Sequence, residues 1–317
     1  MVEIAPADDA LKEWLLAGDV SIRWQVMQYL IGASPAEVAA ERERVATEGW
    51  GARLLAAQDT DGLWAGALYS PKWTSTTYTL LLLRRLGLAA DNSQARRGCR
   101  RLWEAASDHG GGLNLAKSIR EPETCITGML VLLATTFGGA EDRVDRTVDW
   151  LLEQQLADGG WNCETLRSGS RHGSFHTSIT VLEALLAYRG TGGTPVNEAL
   201  AKGEEFFLRH RLFKSHRTAR VADEAFTRFP FPPQWHFDAL RGLEYFQSAS
   251  AARDDRLKDA VDLVRGLRRP DGTWRRYRPY PGRTWFEMEP AGPSRWATLR
   301  CLRVLSWWDD APAPRGR

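Results

Sequence analysis

One short pattern returns three times along this chain and limits what the chain can become. It reads Gln58-Asp59-Thr60-Asp61-Gly62-Leu63-Trp64, then Gln155-Leu156-Ala157-Asp158-Gly159-Gly160-Trp161, then Arg268-Arg269-Pro270-Asp271-Gly272-Thr273-Trp274. In the second copy Val148, Leu151, Leu152 and Leu156 keep a helical spacing up to the turn. Glycine then supplies the positive φ that a tight turn needs, and Trp161 can fold back over Gln155. A motif repeated in this way implies repeated helical units. Each is too small to bury its own apolar face, and stacking buries a shared core.

Five units follow from the pattern, at a period of roughly 45 to 50 residues. They span about 48–87, 96–138, 145–190, 196–246 and 256–308. Each reads as helix, turn, loop and second helix. The second helices are expected from Trp73, Glu123, His176, near Trp235, and from Ser294 or Arg295. They are richer in apolar and small residues all round than the first helices, as suits an inner layer. The loops between paired helices are too long for plain hairpins, which favours a closed ring over an open solenoid. Ahead of the repeats, Asp8 to Gly32 reads as two short helices, the second with Ser21 as N-cap, and Ser34-Pro35 starts a charged helix. The expected fold is all-α. It is an α/α-toroid of five to six helix pairs over 1–310, with an N-terminal helical segment at about 8–47 and a Pro-rich, disordered tail at 311–317.

Composition removes several function classes. The 317 residues carry a net charge of +2 with both signs interspersed, so nothing points to nucleic acid. The longest apolar run, Thr79 to Leu83, is far short of a transmembrane segment. The acidic start lacks the apolar stretch of a signal peptide. A cytoplasmic protein is expected, its four cysteines free thiols without CxxC spacing. The 14 tryptophans are the unusual number; average usage would give roughly a third as many. They must fill a core, line a cavity, or both.

Gln-x-x-x-Gly-x-Trp after an aromatic-Leu helix resembles the QW repeat of squalene–hopene and oxidosqualene cyclases, found degenerated in the β subunits of protein prenyltransferases. Trp150, Leu151, Gln155, Gly159 and Trp161 match it in full. Gln58, Gly62 and Trp64 match in part, with Arg53 at the aromatic position, and Gly272 and Trp274 match with Arg268 replacing the Gln. The resemblance implies a toroid of the terpene cyclase/prenyltransferase superfamily, in which the repeat is structural: its Gln satisfies helix-end groups and stacks on the Trp. The family's chemistry would need other residues. The Asp-x-Asp-Asp acid motif of class II cyclases is absent, as is the Asp-x-Cys zinc pair of the prenyltransferases. Asp158, Cys163, His172 and His176 have the residue types of a zinc site without a familiar spacing, so no metal and no cofactor are expected.

In such a ring the N-terminal ends of the inner helices gather at the loop-side mouth, where their dipoles add positive potential. Asp238 is the first candidate general acid, with His236 as its orienting or relay partner, and Glu123 the second. A carboxyl group in an apolar site has its pKa raised and can donate a proton. Trp73, His176, Trp235, Trp296 and Arg295 are the candidate substrate contacts, the aromatic faces being suited to a passing cation. Glu287 and Glu289, and the arginines 275, 276, 278 and 283, lie in the last long loop. The leading expectation is a squalene cyclase-like isomerase that carries out proton-initiated cyclisation or isomerisation of an isoprenoid-type small molecule. The alternatives are a non-catalytic toroid that binds a lipid or a protein, and a carbohydrate-active toroid. The last requires two carboxylates facing each other across a cleft.

Overall fold

The structure is a computed structural model that describes residues 9–140 and 142–310; the expected tail at 311–317 lies outside the described residues. The chain is all-α. Its helices are α1 (Asp9–Leu16), α2 (Val20–Tyr29), α3 (Pro35–Glu43), α4 (Gly49–Ala56), α5 (Thr76–Leu86), α6 (Ser93–Ala105), α7 (Thr124–Phe137), α8 (Val144–Glu153), α9 (Glu164–Ser168), α10 (Phe175–Tyr188), α11 (Asn197–Arg209), α12 (Ala239–Ser248), α13 (Lys258–Gly266) and α14 (Arg295–Asp310). Two short antiparallel pairs complete it: β1 (Ser107–His109) with β2 (Gly112–Asn114), and β3 (Trp274–Arg275) with β4 (Pro293–Ser294).

Six helices form an inner ring. Going round it, α5 packs on α7, α7 on α10, α10 on α12, α12 on α14 and α14 on α2. Trp24 of α2 closes the circuit by donating from its indole Nε1 to the carbonyl of Leu86 at the end of α5, at 2.8 Å. Sequence explains which helices lie inside. In α7 every residue from Ile126 to Ala134 is buried, whereas α8 buries Thr147, Val148, Trp150 and Leu151 on one side only. The outer partners are α4, α6, α8, α11 and α13. Beyond them, α1 meets the last repeat, where Arg295 donates from Nε to the Trp14 carbonyl at 2.9 Å and lays its guanidinium over the Trp14 ring. The ring therefore closes with six inner helices.

The repeated clasp fastens each unit by three sets of bonds. The tryptophan indole donates to a carbonyl ten residues back in the outer helix: Trp64 to Leu54, Trp161 to Leu151 and Trp274 to Val264, at 2.6–2.8 Å. The backbone N–H of the same tryptophan donates to a hydroxyl in the first turn of the inner helix: Thr76, Ser178 and Thr298. In the second unit Leu113 takes the tryptophan's place and bonds Thr127 in the same way. The glutamine links one unit to the next. Gln155 Nε2 donates to the Gly159 carbonyl and to Ala199 of α11, and Gln58 Nε2 to the Gly62 carbonyl and to Gln94 of α6, all at 2.9 Å. Arg268 keeps the bond to its glycine, at 3.2 Å, in the third copy.

Three boundaries differ from the sequence reading. The N-cap of α2 is Asp19, whose carboxylate accepts from the N–H of Ser21; its other oxygen accepts from Trp50, so the longer acid side chain ties two helices where Ser21 would cap one. α5 begins at Thr76 rather than Trp73, because residues 72 and 73 exchange backbone hydrogen bonds with Arg283 across the ring. α12 begins at Ala239 rather than near Trp235. The chain from Gln234 to His236 turns into the ring centre first, and Asp238 in an extended conformation then caps the helix.

Candidate functional site

The inner-helix starts do gather on the loop face, and the middle of the ring is plugged there. His236 is stacked between Trp235, at 3.8 Å between ring centroids, and Tyr280, at 3.5 Å. Trp73 meets His236 edge-on and donates from Nε1 to the carbonyls of Tyr280 and Pro281. These rings join the first and last repeats through the ring centre. Burial lowers the His236 pKa to about 3, so the ring is neutral. His176 accepts at Nδ1 from the N–H of Phe237 at 2.8 Å, and burial lowers its pKa to about 4. Both histidines are fixed as neutral groups, one as an aromatic plate and one as an acceptor.

Beside this plug lies a cavity of about 890 Å³. It is bounded by the 66–72 loop, by Leu115 and Ile119, by the starts of α7 and α10, and by Trp235. Its apolar walls carry a compact polar corner. Glu123, at the N-cap of α7, makes no capping bond with its own helix. Its Oε1 accepts from Arg167 Nη1 of α9 at 3.2 Å, and its Oε2 lies 3.7 Å from the thiol of Cys125. Cys163 Sγ accepts from the N–H of Cys125 and contacts the Thr177 hydroxyl, both at 3.3 Å. Burial raises the Glu123 pKa, with bonds from Cys163 and the charge of Arg167 pulling the other way. The bond to Cys163, together with burial, pushes the Cys125 thiol up. Lys72 adds a cation, with Nζ 5.2 Å from the Trp235 ring centroid.

The heteroatoms of Glu123, Cys125 and Cys163 all lie within 4.8 Å of one another, the one such grouping among the described residues. Two thiols and a carboxylate are ligand types that zinc takes. The set considered from sequence does not assemble. Asp158 is spent on the turn, accepting from the N–H groups of Gly160 and Gly173, and His176 is bonded to Phe237. Lys72 was not readable as a site residue from sequence, and Cys125, in the inner-helix start Glu123-Thr124-Cys125, carried no role there. Cys125 is two residues past Glu123 in an ordinary helix start, and Cys163, which meets it, lies 38 residues on at the N-cap of α9.

The other candidates take different places. Asp238 is fully buried, and lines none of the cavities described. Its Oδ1 accepts from the N–H of Arg241 at 2.8 Å, and its Oδ2 has no partner. Burial raises its pKa to about 6, against the pull of Arg300. Trp296 stacks on Phe231, at 3.9 Å between centroids, away from the large cavity. Arg295 is held by Trp14. In the last loop, Glu289 caps the start of α14 through Ser294 and the N–H of Trp296, and Glu287 pairs with Arg276 at 2.7 Å.

No protein-family model matches this chain, and no curated protein does. Among solved structures, that of the type II terpene cyclase MstE from Scytonema, in its apo form, covers 90% of this chain and 87% of its own. The identity is 16% and the TM-score 0.46, a distant likeness of fold. Among the described residues no helix is long and apolar enough to cross a membrane.

Proposed function

We propose that the loop-face cavity receives a partly apolar, isoprenoid-type small molecule, and that Glu123 is the acid that starts its isomerisation or cyclisation. The observation that carries this reading is a glutamate, only 6% exposed as a residue and without a capping bond, in the wall of a cavity of about 890 Å³. Burial favours its protonated form. The proton would pass from the Glu123 carboxyl to a substrate double bond, leaving a carboxylate that Arg167 is placed to stabilise. The faces of Tyr69 and Trp235 offer a surface for the carbocation. Loss of a proton from the product-forming cation to Glu123 completes the cycle. The likeness of the repeats to those of squalene cyclases supports the isoprenoid class.

A second reading is binding without turnover. The Arg167–Glu123 pair favours it, because that bond also steadies the ionised carboxylate. A sugar-cleaving reading needs Glu123 and Asp238 to face each other across a cleft, and Asp238 lines none of the cavities described. Incubation with a series of polyprenyl alcohols and diphosphates, followed by mass spectrometry, separates the first two. Product from the wild type and from Asp238→Asn, with about 10²–10⁴-fold less from Glu123→Gln, is the expected result. Equal turnover by Glu123→Gln removes Glu123 from the role. Saturable binding with no product in any variant establishes the second reading.

A further inference from the structure

A second cavity lies on the ring axis, at the end away from the loops. It has a volume of about 480 Å³, and all six inner helices contribute to its wall. Arginines dominate it: Arg84 and Arg85 from the last turn of α5, Arg300 and Arg303 from α14, and Arg42 at the rim. Glu183 and Glu244 are the two carboxylates in the wall. We propose that this axial cavity binds a small multivalent anion of the phosphate type, held by Arg84, Arg85, Arg300 and Arg303.

The pairing pattern leaves the cations unsatisfied. Glu244 is taken by Arg300, through Nε at 2.9 Å and Nη2 at 2.7 Å. Glu183 is taken by Arg241 in the same bidentate way and reaches Arg85 only at 3.4 Å. Arg84, Arg42 and Arg303 have no carboxylate within ion-pair distance among the described residues; Arg42 bonds the Gly87 carbonyl, and Arg303 bonds Gln25 and lies over Tyr29. Arg300 is 2% exposed, yet its Nη1 has no partner, and neither does Arg303 Nε. An unmatched buried guanidinium N–H is costly, and the wall itself offers the guanidinium groups of Arg84, Arg85, Arg300 and Arg303, donors that phosphate oxygens accept. Burial pushes the Arg84 pKa down and that of Arg85 to about 10, with the charge of Glu183 pulling the other way and that of Arg241 adding to the fall.

A competing account is purely structural. The inner helices end around this cavity, and each C-terminus carries roughly half a negative charge that arginines would offset. That account explains cations near carbonyl groups. It does not explain why five arginines share one cavity wall with only two carboxylates, both already paired, and it predicts no saturable ligand.

Titration calorimetry of the full chain at low salt, with inorganic pyrophosphate, orthophosphate and phenyl phosphate, distinguishes the two, with sodium chloride at matched ionic strength as control. One-site binding is expected for the phosphates and none for chloride. Arg84→Gln and Arg303→Gln should each weaken it about tenfold or more, which is about 1.4 kcal/mol. Arg84→Lys should retain most of it, and Arg278→Gln on the loop face should change nothing. Neither Arg84 nor Arg303 holds an ion pair, so both glutamine variants should fold, as thermal unfolding will check. Tighter binding of phenyl phosphate than orthophosphate assigns the site to a phosphorylated organic molecule; the reverse assigns it to the free anion. No saturable binding at millimolar pyrophosphate, or equal binding by both glutamine variants, overturns the proposal.

Discussion

Replacing Asp238 by Asn should change stability in a way that depends on pH with a defined sign. The ordinary carboxyl pKa of this residue is 3.8, and burial raises it to about 6 in the folded protein. The folded state thus holds the proton more tightly than the unfolded chain. The stabilisation from that proton is fully present below pH 3.8 and is lost as pH rises through about 6. For these two values the loss is about 0.5 kcal/mol at pH 4, about 1.6 at pH 5 and about 3 at pH 8. Asparagine behaves as a permanently protonated aspartate, and it caps helices as well. The bond from the Arg241 N–H is therefore kept, and only the buried charge is removed. Urea unfolding of both proteins at pH 5, 6, 7 and 8 gives the difference directly, with all other titrating groups cancelling. The variant should gain about 1.4 kcal/mol on the wild type between pH 5 and pH 8. A difference that stays flat over that range, or moves the other way, would refute the claim that Asp238 is a buried group ionised at a cost.

Three further outcomes follow from the same geometry. Glu183→Gln should cost about 3–5 kcal/mol, read by urea unfolding, because it leaves the buried Arg241 without its carboxylate. Gln155→Ala removes two bonds that link consecutive repeats and should cost about 1–3 kcal/mol by the same assay, with Gln58→Ala similar. His176 and His236, with pKa values lowered to about 4 and about 3, should show no NMR titration of their ring protons above about pH 5. Their contribution to stability is present above pH 6.5 and is lost as pH falls towards those values. An inflection near pH 6.5 for either ring would mean it is not buried as described.

The architecture was legible because it rests on local, repeated signals. The Gln, the glycine turn and the tryptophan mark where each outer helix ends, and the apolar second helices mark the inner layer. The hydroxyl that completes each clasp was not legible. Thr76, Leu113's partner Thr127, Ser178 and Thr298 lie 12, 14, 17 and 24 residues beyond the residue they bond, so no fixed spacing reveals them. The plug was hidden for a related reason. His236 and Tyr280 stack through a contact that only ring closure creates, and the start of α12 was misplaced because Trp235 and His236 serve that plug instead of the helix.

The hardest inference from sequence concerned Glu123 and Asp238, which occupy equivalent positions. Each immediately precedes an inner helix, and burial raises the pKa of each. One methylene separates their fates. The short aspartate side chain curls back to accept the N–H three residues on, the geometry that makes Asp a good N-cap. It lines none of the cavities described. Glutamate is a poor cap, and Glu123 makes no such bond; its longer side chain extends across the mouth to Arg167 and the Cys125 thiol. The residue that fails to cap its helix is the one that lines the large cavity. In a ring of helices whose starts converge on one face, an acid's chemical availability is therefore decided by whether its own helix has already claimed it.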